Sequence, residues 1–147
     1  MIHIQFPEKK PTIKRTEKSE EIFCIVRKKW LILTPEEWVR QNFILYLTET
    51  LKYPMALIAV EKQFSINNVL KRFDIVVYNN MLNPLILVEC KEMNTPISTK
   101  ALRQALHYYT IIQSDIFLIT NGSYTLGFKK DNSNMIEIDA IPTFIEK

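Results

Sequence analysis

Residues 71–91, KRFDIVVYNNMLNPLILVECK, decide how this chain is read. Two runs, 71–78 and 85–90, flank the loop NNMLNP. Aliphatic and β-branched residues fill both runs, and Asn and Pro bound them, so each reads as a strand. Each run also holds an acid inside it. Asp74 interrupts FDIVV and Glu89 interrupts LILVEC. A carboxylate in a central strand is costly unless it is paired or bound to a metal. Lys91 follows Glu89 by two, a spacing that puts both side chains on one face of a strand. Asp74, on the neighbouring strand, is expected to meet them there. Two carboxylates of hard oxygen suit Mg²⁺ (or Mn²⁺), which binds through one or two carboxylates and keeps waters and phosphates. A lysine beside them can hold or activate an attacking water and stabilise charge on a phosphate. Taken singly, each acid also fits a strand-end charge or an ion pair with Lys91.

Outward from this stretch, the N-terminal side carries Thr34-Pro35-Glu36-Glu37. Thr34 can cap a helix, Pro35 suits its first position and Glu37 closes a capping box. The helix is expected to run to about residue 51 and stop before Pro54. Its apolar residues (Trp38, Val39, Phe43, Ile44, Leu45, Leu47) cover most of its circumference, which predicts deep burial. Residues 55–60 read as a strand ending at Glu61. Residues 22–33, IFCIVRKKWLIL, read as a β-hairpin turning at Arg27, Lys28 and Lys29. Residues 1–21 are polar and basic and read as an arm. On the C-terminal side, residues 98–113 read as a helix and 115–120 as a strand. Asn121-Gly122 marks a turn, and strands follow at 124–128 and 135–138. The order is hairpin, α, β, β, β, α, β, β, β, an α/β domain over residues 22–147 with a mixed central sheet flanked by helices.

Composition narrows the function classes. The 147 residues contain only 2 glycines, so no Gly-rich phosphate loop or dinucleotide fingerprint exists. The net charge of +3 permits a nucleic-acid partner without requiring one. Cys24 and Cys90 sit in apolar stretches and read as reduced core thiols. No apolar run reaches membrane-spanning length and the first residues lack a signal core, so a cytoplasmic protein is expected.

FDIVV followed by Glu89-Cys90-Lys91 resembles the PD-(D/E)xK nuclease signature, with Phe73 where the motif's leading Pro would stand. The next helix carries QALHY, residues 104–108, similar to the QxxxY extension of the RecB-like branch. Gln104 and Tyr108 lie at i, i+4 and share a helix face. LTPEEWVRQ, the Glu61 strand, KRFDIVVY, LILVECK, QALHYY and LITNG occur in the order seen in the N-terminal nuclease domain of type I restriction-enzyme R subunits. That resemblance implies a restriction-endonuclease-like αβββαβ core and a metal-dependent DNA nuclease. It implies Asp74 and Glu89 as metal ligands, Lys91 as the catalytic lysine, and Gln104 and Tyr108 as groups that orient the site or contact DNA. It also implies a further acid from the first core helix. Glu37 is the choice, because Glu36 lies i, i+4 from Arg40 as a surface pair, and Glu61 is the rival.

Other readings of the same residues stand beside these. Arg72, with Lys71, Arg27, Lys28 and Lys29, fits a phosphate path or a solvated turn. Glu92 follows Lys91 and is placed to pair with it. His107 fits a structural or solvent-facing helical position. No helicase motor follows, so a separately encoded motor or specificity subunit is an expected partner. The alternative function is a non-catalytic nucleic-acid-binding or partner-binding module that keeps the nuclease fold.

Overall fold

The computed structural model describes residues 1–145, and the backbone alone at 108–110. The expectation for the Tyr108 side chain therefore lies outside the described residues. The elements are β1 (Ile2–His3), β2 (Ile13–Arg15), β3 (Glu20–Cys24), β4 (Lys29–Ile32), α1 (Pro35–Leu45) and β5 (Ile58–Ile66). They continue with β6 (Val69–Tyr78), β7 (Pro84–Cys90), α2 (Thr99–Ile112), β8 (Ile116–Thr120), β9 (Tyr124–Asp131) and β10 (Asn134–Ile138). A π-helical turn at Tyr46–Thr50 extends α1, and a short 3-10 turn at Met55–Leu57 precedes β5.

Among the described residues, a seven-stranded sheet runs β1-β9-β8-β7-β6-β5, with β10 sharing the free edge of β9 with β1. All pairings are antiparallel except β7 with β8, which are parallel. Parallel neighbours need a long crossover, and α2 supplies it. The sheet is mixed, as expected.

One face of the sheet packs on α1. Val39, Phe43, Ile44 and Leu47 bury against Ile75, Val77, Ile86, Val88 and Leu118. The other face packs on α2, where Leu102, Ala105 and Leu106 meet Phe73, Val76, Leu87, Phe117 and Ile119. Burying each such large aliphatic or aromatic side chain stabilises the fold by about 1.5–3 kcal/mol. All of β8 is buried, which suits a central strand covered on both faces.

The N-terminal residues depart from the expected arm. Ile2 and His3 pair with Thr125 and Tyr124, and Ile2 and Ile4 are buried in the α1-side core. Ile2, Ile4 and Phe6 alternate with His3 and Gln5, a short period-two strand signal that the reading of residues 1–21 as a polar arm passes over. The hairpin gains a third strand, β2, and becomes a small separate sheet ordered β2-β3-β4. The strand expected at 55–60 starts at Ile58 and continues to Ile66. Glu61, read as its end, sits inside it at a φ of 51°. The β5–β6 ladder pairs Val60 with Ile75 and Lys62 with Phe73, and skips Glu61 and Asp74 between them.

A candidate carboxylate and lysine site at the end of the central strands

The skipped pair marks the site. The β6–β7 ladder begins at Ile75 and Val88, so Asp74 and Glu89 lie just beyond it, where the two strands part. β7 stays bound to β8 on its other side as far as Cys90 and Thr120, and the Lys91 N–H donates to the Thr120 carbonyl at 2.8 Å. The backbone carrying Glu89 and Lys91 is thus held on one side and open on the other.

Asp74 fills part of that opening. Its Oδ2 accepts from the Cys90 N–H at 2.7 Å, replacing a ladder bond. Its Oδ1 accepts from Arg40 Nη2 at 3.1 Å. Arg40 is 5% exposed and reaches three more carboxylates: Glu61 at 3.2 Å, Glu37 at 3.3 Å and Glu36 at 3.8 Å. Burial works against the charged guanidinium, yet Glu37, Asp74 and Glu61 outweigh it and hold its pKa above the ordinary value. Glu61 in turn accepts from Arg27 Nη1 at 2.7 Å. Burial opposes ionisation of Glu61, but its bonds to Arg40 and Arg27 lower its pKa. Glu36 is shifted the other way, raised by burial and then by the Asp74 charge.

On the α2 side, a cleft of about 230 Å³ is lined by Lys71, Glu89, Lys91, Gln104 and the apolar floor of Ala101, Ala105 and Ile119. Glu89 Oε1 pairs with Lys71 Nζ at 2.8 Å. Burial raises the Glu89 pKa; the Lys71 ammonium opposes this, and the Asp74 charge adds to it. Lys91 makes no ion pair among the described residues. Glu92 does not take it up: its Oε1 accepts from the Thr95 hydroxyl at 3.2 Å. Cys90 is buried between the two clusters, and burial pushes its thiol well up, consistent with an inert core thiol.

Glu89, Lys91 and Gln104 therefore stand together in one cleft. Asp74 does not share it. Its carboxylate is turned toward α1 by Arg40, and its link to the cleft is the Cys90 N–H. Asp74 is expected beside Glu89 and Lys91; its carboxylate bonds the buried Arg40 guanidinium, and its charge still acts on Glu89. Among the described residues no three His, Cys, Asp or Glu side chains converge as a metal cage. Glu37 belongs to the Arg40 cluster. The Thr34 hydroxyl accepts the Glu37 N–H at 3.0 Å as a helix cap. The Glu37 carboxylate turns to Gln41 at 3.1 Å and to Arg40, instead of closing a capping box. Glu36, expected as a surface partner of Arg40, is the most distant of its four acids. Arg72 is exposed on β6 and lies outside the lining of the cleft.

Sequence reasoning named Arg40 only as a surface partner of Glu36 and Lys71 only among phosphate-path cations, and missed their pairing with Asp74 and Glu89. A signal for Arg40 existed: it is a lone cation amid Val39, Phe43 and Ile44 on a helix expected to be buried nearly all round. Such a cation needs acids from other elements. Lys71 precedes Asp74 by three, a spacing that in a regular strand would put the two on opposite faces.

A mixed sheet with acids and a lysine at the parting of its central strands defines an α/β domain with a polar site at a strand end. The model of the family described as "Type I restriction enzyme R protein N terminus (HSDR_N)" matches residues 35–142. This chain belongs to that family. Its fold is similar to a structure described as a fragment of an HsdR subunit of a type I restriction enzyme from Vibrio vulnificus YJ016. The TM-score is 0.58 at 19% sequence identity, over 76% of this chain. The chain spans about a quarter, 24%, of that one. No curated protein sequence matches it. Among the described residues no helix is long and apolar enough to cross a membrane.

Proposed function

We propose that this chain is a metal-dependent DNA nuclease of the type found at the N terminus of type I restriction R subunits, hydrolysing phosphodiester bonds. The observation that carries this is the cleft holding Glu89, Lys91 and Gln104, with Asp74 bonded to the Cys90 N–H at its edge. Asp74 and Glu89 would hold one Mg²⁺ or Mn²⁺. Their chemistry fits: both are hard oxygen donors, and burial raises the Glu89 pKa, so a cation at that carboxylate relieves its desolvation. When bound, the metal would polarise the scissile phosphate and acidify a water.

The chain's own groups do the rest. To hold such a metal, Asp74 and Glu89 would have to exchange Arg40 and Lys71, their present partners. Lys91, which makes no ion pair among the described residues, holds a phosphate oxygen or orients the attacking water. Gln104 orients the site from α2. Glu37 adds negative charge through Arg40, and Tyr108 and Arg72 contact the DNA backbone. A separately encoded motor or specificity subunit in the cytoplasm would supply translocation. The test is cleavage by the purified chain with Mg²⁺ or Mn²⁺ on closed-circular, linear, flapped and single-stranded DNA. Cutting that leaves 5′-phosphates, and is lost in Lys91→Ala and Asp74→Ala, supports the assignment. No cutting of any of these substrates contradicts it.

One observation favours a second function, a DNA-binding module without catalysis. Asp74 and Glu89 are each satisfied by a cation of the chain itself, at 3.1 and 2.8 Å. Calorimetry separates the two: in a binding module, DNA affinity is salt-sensitive and Mn²⁺ uptake is absent.

A further inference from the structure

The segment ahead of α1 carries a charge that the site does not use. Residues 1–30 hold eight Lys and Arg against four Glu, whereas the whole chain is only +3. The segment also lies outside the family match, which begins at residue 35.

Most of these cations are already engaged. Lys9 pairs with Glu49 at 3.3 Å, and Arg15 with Glu20 at 3.0 Å. Lys10 donates to the Pro7 carbonyl at 3.0 Å, and Lys14 sits 4.2 Å over the Trp30 ring. Lys28 and Lys29 differ. Both are exposed, and among the described residues neither ammonium has an ion pair or hydrogen bond. They stand at the β3–β4 turn. Lys28 adopts a φ of 55°, and its N–H closes the turn on the Cys24 carbonyl at 2.7 Å.

That turn is fixed to the site. Arg27 bonds Glu61, Glu61 bonds Arg40, and Arg40 bonds Asp74. The turn that carries the exposed lysines is therefore tied, through Arg27 and Glu61, to a group of four acids around Arg40: Glu36, Glu37, Glu61 and Asp74. A polyanion approaching those acids is repelled unless unpaired cations lie within about a Debye length, roughly 8 Å. Arg27 and Arg40 are committed to carboxylates, and Lys91, which also acts on Glu36, stands on the cleft side, so on the side of the Arg27 link the turn lysines are the cations with no ion pair or hydrogen bond among the described residues.

We propose that the β3–β4 turn is a DNA-backbone contact, with Lys28 and Lys29 taking phosphates of the strand that crosses the acid cluster and Arg27 positioning the turn through Glu61. This rests on the DNA reading above and adds the surface that receives the backbone. The test is fluorescence anisotropy of a labelled duplex with Ca²⁺ in place of Mg²⁺, across a range of salt. Wild type is compared with Lys28→Gln/Lys29→Gln and with Lys129→Gln/Lys130→Gln, whose exposed lysines lie on β9 at the far end of the sheet. Losing two phosphate contacts should shallow the slope of log affinity against log salt by about 1.8, and weaken binding by about tenfold or more at 0.1 M salt. The β9 variant should match wild type.

Equal affinity and slope in the two double variants would overturn the proposal, as would a wild type that binds no duplex. If the turn variant still cuts DNA as wild type does, the turn assignment fails and the nuclease function stands. If wild type binds through the turn but cuts nothing with Mg²⁺ or Mn²⁺, the turn assignment stands and the nuclease function fails.

Discussion

Replacing Arg40 with Met should be among the most damaging single changes in the chain. The guanidinium is 5% exposed and contacts Glu61, Asp74 and Glu37 at 3.1–3.3 Å. Met keeps the aliphatic stem and removes the charge, leaving three part-buried acids facing one another. Removing one partner of a buried ion pair costs about 3–5 kcal/mol, mostly because the remaining charge is left uncompensated. A domain of this size has roughly 5–15 kcal/mol in all. At about 2–4 °C per kcal/mol, the melting temperature should fall by on the order of 10 °C. Urea unfolding followed by circular dichroism measures this at pH 7. Arg40→Met/Asp74→Asn should recover part of the loss, since it removes one stranded charge. If Arg40→Met lies within about 1 kcal/mol of wild type, the inference that a buried cation organises these acids is wrong.

Four further outcomes are expected. Glu61 has a lowered folded pKa, so its contribution to stability is present above the unfolded glutamate pKa of about 4.3 and is lost as pH falls through the lower folded value. The stability difference between wild type and Glu61→Gln should therefore shrink in that acid window, as read by urea midpoints against pH. Glu89 is shifted upward by burial, so ionising it costs the fold; Glu89→Gln should raise the urea midpoint at neutral pH even as it removes a proposed ligand. Gly127→Ala should destabilise by about 1–3 kcal/mol, because a Cβ there would stand 2.8 Å from Ile138 and 2.9 Å from Leu118. Ile4→Ala should cost about 2–4 kcal/mol in thermal unfolding, whereas a free arm would tolerate it.

Much of this architecture was legible in the sequence, where local pattern and tertiary demand agree. The Thr34-Pro35 start, the stop before Pro54 and the apolar residues between them placed α1, and the β-branched runs placed β6, β7 and β8. Glu89 and Lys91 could be put on one strand face because a regular strand alternates strictly. Asp74 escaped that rule. The ladder breaks at Glu61 and Asp74, the strand geometry is irregular there, and a residue's direction no longer follows from counting. Arg40 decides where Asp74 turns, and it arrives from a helix 34 residues earlier, a distance that no local pattern spans. The N-terminal strand had a local signal in the alternation of Ile2, Ile4 and Phe6, but its partner, the β9 edge, lies more than 100 residues away and no local pattern names it.

The most direct test is a crystal structure of the chain grown with Mn²⁺, with the ion located by anomalous scattering. The expected result is one ion bound by oxygens of both Asp74 and Glu89, with Arg40 and Lys71 withdrawn from them and Lys91 beside the site. An ion bound elsewhere, or none at millimolar Mn²⁺ with Asp74 still on Arg40 and Glu89 still on Lys71, would contradict a metal-dependent nuclease.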